Sequence, residues 1–129
     1  MEHEQWAARI REAADLHEAG DLSGADEIWQ ELIPLTPTDL DRSVLLVNRA
    51  RTLTALGRLH EAETSFDLAI AAESAWFRGF ARAHKGAWLS EQGRGDEAAA
   101  MFEALAGERW VSWSERIGYR QNAAVLRGA

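Results

Sequence analysis

The chain predicts an all-α fold, an array of helical hairpins closed by one extra helix, and three observations carry that expectation. A six-point pattern of small residue, Leu, Gly, Ala, aromatic, then Leu or Ala occurs three times: Ala13, Leu16, Gly20, Ala25, Trp29, Leu32; Ala50, Leu53, Gly57, Ala62, Phe66, Ala69; and Gly86, Leu89, Gly93, Ala98, Phe102, Leu105. Its internal spacings of 3, 4, 5, 4 and 3 residues are kept in every copy, and its glycines lie 37 and 36 residues apart. A fixed period in the range of roughly 20–50 residues marks stacked units that are each too small to bury their own apolar face. Composition agrees: Ala, Leu, Glu and Arg abound, β-branched residues are sparse, and the two prolines, Pro34 and Pro37, lie together, which favours helix almost everywhere. Finally, apolar residues recur at spacings of three and four on both sides of Gly20, from Trp6 and Ile10 before it to Ile28 and Ile33 after it, the period of a helix with one buried face.

Seven helices are predicted, at about 3–19, 23–35, 39–56, 60–73, 75–92, 95–106 and 113–127. The first and second meet at Gly20, where a left-handed residue ends a helix at no steric cost, and Gly57 and Gly93 occupy the same place in the next two hairpins. Ser23 with Asp26 three residues on, and Thr38 with Asp41, are approximate capping arrangements for the second and third helices. Ser74 is the expected cap of the fifth helix, which carries Trp76, Phe77, Phe80 and Trp88. Ser112 with Glu115 is a full capping box and opens the seventh near Trp113. Ala13, Ala50 and Gly86 on the first helices, and Ala25, Ala62 and Ala98 on the second, let backbones approach closely. Trp29, Phe66 and Phe102 then fill the space between successive hairpins.

In this order of small, Leu, Gly, Ala and aromatic positions the chain resembles the tetratricopeptide repeat family, over nearly its whole length. Pro37 stands where that family often closes a unit with proline. The chain departs from the family in its longer period, against about 34 residues, and in having Arg9, Leu46 and Arg82 where a bulky aromatic is usual. The resemblance implies a right-handed α-solenoid forming a single domain over 1–129, with units of about 3–37, 38–73 and 74–107 and a capping helix at about 113–127. That last helix is expected to cover the open face of the array with Tyr119, Ala123 and Leu126 and to leave Glu115, Arg116, Arg120 and Arg127 largely solvated.

Composition narrows the function. Cysteine is absent and the formal net charge is −7, spread along the chain. No disulfide, thiolate nucleophile or cysteine-bound metal is available, and the acidic balance opposes binding to nucleic acid, whose affinity comes largely from Lys and Arg. Residues Met1 to Gln5 are polar, with no apolar run behind them, and no stretch has the length of a membrane span. The expectation is a cytoplasmic protein with neither a nucleic acid nor a membrane as partner.

Chemistry has little support in the residue pattern. The four histidines, at 3, 17, 60 and 84, include no pair at zinc-ligand spacing. There is no nucleophile elbow, and Gly93-Arg94-Gly95-Asp96 lacks the Lys and Ser or Thr of a phosphate loop. Glu27 and Glu31, at i and i+4, read as a solvated face. No catalytic residue, cofactor or metal is therefore expected, and the reading is not an enzyme.

The family usually binds a peptide on a concave wall made of the first helices of its units. Carried to this chain, that wall would include Ile10 and His17; Val44, Val47, Asn48 and Arg51; Phe80 and His84; and Arg120. The full carboxylate clamp of some members is not matched, since only Asn48 and Arg51 resemble it. Arg51 would either grip an acidic side chain of a partner or pair with an acid of this chain. The favoured expectation is a non-catalytic module that binds a protein or peptide segment. The alternative is a self-associating scaffold, a homodimer held by the aromatics near helix starts, Trp76, Phe77, Trp110 and Trp113. The other reading of those aromatics is that they close the ends of the core.

Overall fold

The computed structural model describes residues 1–74 and 77–128, and these are helical with no strand among them. The helices are α1 (His3–Glu18), α2 (Leu22–Leu32), α3 (Asp39–Ala55), α4 (Leu59–Ala71), α5 (Phe80–Glu91), α6 (Gly95–Ala106) and α7 (Trp113–Leu126), and a 3-10 turn, Ile33–Leu35, follows α2. They form two compact units, Met1–Arg78 and Gly79–Ala129.

All three predicted glycine turns have the same construction. Gly20, Gly57 and Gly93 have φ of 88°, 79° and 77°. In each, the glycine N–H bonds the carbonyl three residues back, and the next N–H reaches one five residues back, as in Asp21 to Leu16, Arg58 to Leu53 and Arg94 to Leu89. This pair of bonds satisfies carbonyls that the helix end would otherwise leave open. A single residue then separates the glycine from the next helix, so the chain reverses in the same way three times.

In the first unit α1 packs on α2, α2 on α3 and α3 on α4. Ala13, Ala25, Ala50 and Ala62 are fully buried, as their place in the pattern requires. The α3–α4 hairpin is also stitched by hydroxyls: Ser43 Oγ donates to the Ala69 carbonyl (2.9 Å) and Ser65 Oγ to the Leu46 carbonyl (2.7 Å). Trp29 lies in a core with Ala13, Ile28, Leu32 and Leu45, against which Trp6 and Ile10 pack. Asp26, expected near a cap, is instead buried. Its carboxylate accepts from Arg49 Nε (2.9 Å) and Gln30 Nε2 (2.8 Å), with Arg58 Nη1 at 3.6 Å, which ties α2 to α3. The cap of α2 is Asp21, two residues earlier than Ser23, and it accepts from the Gly24 N–H.

In the second unit α5 and α7 both pack on α6 or are packed by it. A Cβ on Gly86 would stand 2.9 Å from Phe102 Cζ, so the ring rests directly on the α5 backbone. Helix α5 begins at Phe80, later than the expected 75, because Gly79 at φ 82° introduces it in place of Ser74. Gly79 also has no room for a side chain, since Trp110 Cη2 would lie 2.5 Å from its Cβ. Trp76 lies outside the described residues. The Ser112–Glu115 capping box opens α7 as expected, and Ala123, Tyr119 and Leu126 pack against α6 with Phe102. Of the arginines expected in solvent, Arg116 is half-buried, whereas Arg127 is exposed and also paired. Arg116 Nε and Nη2 donate to the Ala106 and Glu108 carbonyls at the end of α6 (2.8 and 3.0 Å), and Arg127 Nη2 bonds Glu103 (2.7 Å).

Candidate functional site

Each unit contains a trough made in the same way. In the first, α1 and α3 form walls on either side of α2, and a cleft of about 100 Å³ between them is lined by Ile10, Ala14, His17, Glu18, Trp29, Asn48, Arg51 and Thr52. Its floor is Trp29, the aromatic of the repeated pattern. In the second, α5 and α7 are walls to α6, and the floor is Phe102, the same pattern position. A small residue opposite a large one explains both: the close approach of the paired helices brings the aromatic through to the base of the trough.

The first cleft brings together Ile10, His17, Asn48 and Arg51 of the expected wall. Val47 is a correction. It is 1% exposed, because α3 is packed by α2 and α4 together and its buried arc extends past a single stripe to include it. Val44 is half-buried outside the cleft. Phe80 and His84 form an edge-on ring pair 4.5 Å apart and do not line the second trough, and Arg120 is exposed on α7.

Thr52, absent from the expected wall, organises the cleft. It is fully buried and accepts from Trp29 Nε1–H at 3.0 Å, while its Oγ1 lies 2.9 Å from His17 Nδ1 and 3.3 Å from the Asn48 carbonyl. A hydroxyl has one proton to give and two lone pairs to receive. All three contacts are satisfied when Thr52 donates to Asn48 and accepts from both rings, which places the His17 proton on Nδ1 and leaves Nε2 unengaged. The sequence has no signal that separates Thr52 from Ser43 and Thr54 on the same helix, and packing alone gives it this role.

Around that anchor the polar groups are open. Neither the Arg51 guanidinium nor the Asn48 carboxamide has a hydrogen-bond or ion-pair partner among the described residues. Among the described residues Arg51 therefore pairs with no acid, in contrast to Arg9, Arg42, Arg49, Arg58, Arg82, Arg94 and Arg127. Glu18 sits on the same rim. The cleft thus offers an exposed cation, an amide and an imidazole over an indole floor, with one carboxylate beside them. Its volume lies below the roughly 300–1,000 Å³ of small-molecule pockets and suits one side chain.

Among the described residues no three His, Asp or Glu side chains are grouped to hold a metal ion, and no helix is long and apolar enough to cross a membrane. Elsewhere Trp113 is 77% and Phe77 44% exposed, whereas Trp110 is half-buried under Arg82. Comparison of the chain with protein-family models, with curated proteins and with solved structures finds no match.

Proposed function

We propose that the chain is a non-catalytic protein-interaction module of the cytoplasm, a right-handed solenoid of three tetratricopeptide-like units and a terminal helix, whose α1–α3 cleft receives a side chain of an extended partner segment. The three congruent glycine turns support the repeat reading. The binding reading is carried by one observation: Arg51 and Asn48 have no partner among the described residues, yet stand at the mouth of a preformed recess. An acidic side chain suits it, since guanidinium and carboxylate form paired charge-assisted bonds. Glu18 is positioned to accept from a backbone N–H of the same segment.

Selection of a phage-displayed peptide library against the whole chain tests this. Enriched peptides carry an acidic residue beside apolar ones, and Arg51→Glu weakens them by at least about tenfold, the loss expected for a charge-assisted bond. The proposal is refuted if no peptide is enriched, or if the enriched set binds Arg51→Glu with unchanged affinity while its circular dichroism stays helical. A second reading, self-association, is favoured by the exposure of Trp113. A Trp113→Ala variant that sediments as the parent does, both monomeric at high micromolar concentration, would exclude it.

A further inference from the structure

The trough of the second unit is lined by a carboxylate and no cation, whereas the cleft in the first has Arg51 beside Glu18. It is open, about 380 Å³, and is lined by Ala87, Ser90 and Glu91 of α5, Phe102 of α6, and Asn122, Val125 and Leu126 of α7. Its α5 and α7 residues fall near the C-terminal ends of their helices, at Glu91 and Leu126. A helix C-terminus carries partial negative charge on its last carbonyls, which a basic residue in the final turn usually offsets. Neither α5 nor α7 has one there. In its place α5 ends on Glu91, whose carboxylate has no ion-pair or hydrogen-bond partner among the described residues. The cations that follow the two helix ends in sequence are held elsewhere: Arg94 pairs with Glu97 and lies over Trp88, and Arg127 pairs with Glu103 and Asp96. Beside this negative end stands an apolar wall, with Val125 75% exposed.

From this geometry we infer that the α5–α7 trough is a second docking site, one that takes a lysine side chain from a basic and apolar segment of a partner protein. The aliphatic stem lies along Val125, Leu126 and Ala87, and the ammonium reaches the Glu91 carboxylate at the end of α5, the division of labour that long cationic side chains adopt at an apolar edge. The net charge of −7 brings such a segment in from a distance. The site stands independently of the α1–α3 cleft.

The test is a 1H–15N titration of the whole chain with acetylated, amidated Ala-Leu-Lys-Leu-Ala, and with the same peptide carrying norleucine or glutamate in place of lysine. The lysine peptide is expected to shift the amides of Ser90, Glu91, Asn122, Val125 and Leu126 saturably, and the norleucine peptide to bind about fivefold more weakly, the size of one well-placed surface ion pair. Glu91→Gln removes that advantage, whereas Glu27→Gln, which deletes an equal charge in the other unit, keeps it. Equal affinity for lysine and norleucine, equal loss in both glutamine variants, or shifts scattered over the surface would overturn the inference. So would spermidine moving the same amides with the same affinity, since the occupant would then be a free polyamine rather than a protein segment.

Discussion

Replacing Arg49 by Met probes the strongest polar link in the first unit. Asp26 is 2% exposed and is held by Arg49 at 2.9 Å and Gln30 at 2.8 Å, with Arg58 more distant at 3.6 Å. Methionine keeps most of the aliphatic stem and removes the guanidinium, so packing changes little while the carboxylate loses its main counterion. Breaking a buried pair from one side costs roughly 3–5 kcal/mol. Arg58 remains to compensate in part, and the side chain of Arg49 is itself 23% exposed. We therefore expect about 2–3 kcal/mol, at or below the lower limit of that range. Asp26→Leu combined with Arg49→Met removes both charges, and a buried pair replaced by apolar groups is often close to neutral. The double variant should thus be more stable than Arg49→Met alone, with a coupling energy of about 2 kcal/mol. Urea unfolding followed by circular dichroism measures all four proteins, with an unchanged slope required for the comparison. A cost below about 1 kcal/mol for Arg49→Met, or strict additivity in the double variant, would show that the link contributes nothing beyond its separate parts.

Glycine chemistry separates turn from helix. Gly57→Ala should cost about 1–2 kcal/mol for a left-handed Cβ residue, although nothing within 4 Å obstructs the added atom. Gly118→Ala, equally unobstructed but inside α7, should raise the urea midpoint by a gain of about 0.5–1 kcal/mol; a stabilised Gly57→Ala would refute the turn assignment. Gly86→Ala meets the Phe102 ring at 2.9 Å, so overpacking of about 1–3 kcal/mol outweighs the helix preference of alanine; thermal unfolding that rises would contradict this packing. The hydrogen bond from Arg58, with smaller Coulombic contributions from Arg58, Arg49 and His60, holds the Glu61 carboxyl below its ordinary range, against a weaker opposing effect of desolvation. Because the folded value is the lower one, the pair stabilises the fold above the ordinary carboxylate range and fades as pH falls through the depressed value. A carbon-detected titration of Glu61 should move upward in Arg58→Met, and an unmoved midpoint would show that the bond is not made in solution.

Part of the candidate site follows from what the family resemblance implies for the first helices, and the residues it misplaces are instructive. Ile10, His17, Asn48 and Arg51 do meet in one cleft, since helical periodicity and the repeat align them. Val47 is lost to the core because α3 has neighbours on two sides, and the number of neighbours is not written in a helix's own period. The late start of α5 follows from Gly79, whose left-handed backbone and close approach to Trp110 are long-range facts. Whether Arg51 pairs internally was open for a similar reason: many acids lie within reach in sequence, and only their placement decides.

Local chemistry, then, was enough to establish the helical class, the three reversals at Gly20, Gly57 and Gly93, and the close-packed small positions, because each depends on backbone sterics and on periods of a few residues. Burial of Asp26 beside Arg49, the Thr52 anchor under His17 and Trp29, and the open carboxylate of Glu91 arise between segments far apart in the chain. Electrostatic and hydrogen-bond pairing depends on distance in space, and that distance exists only after the helices have packed.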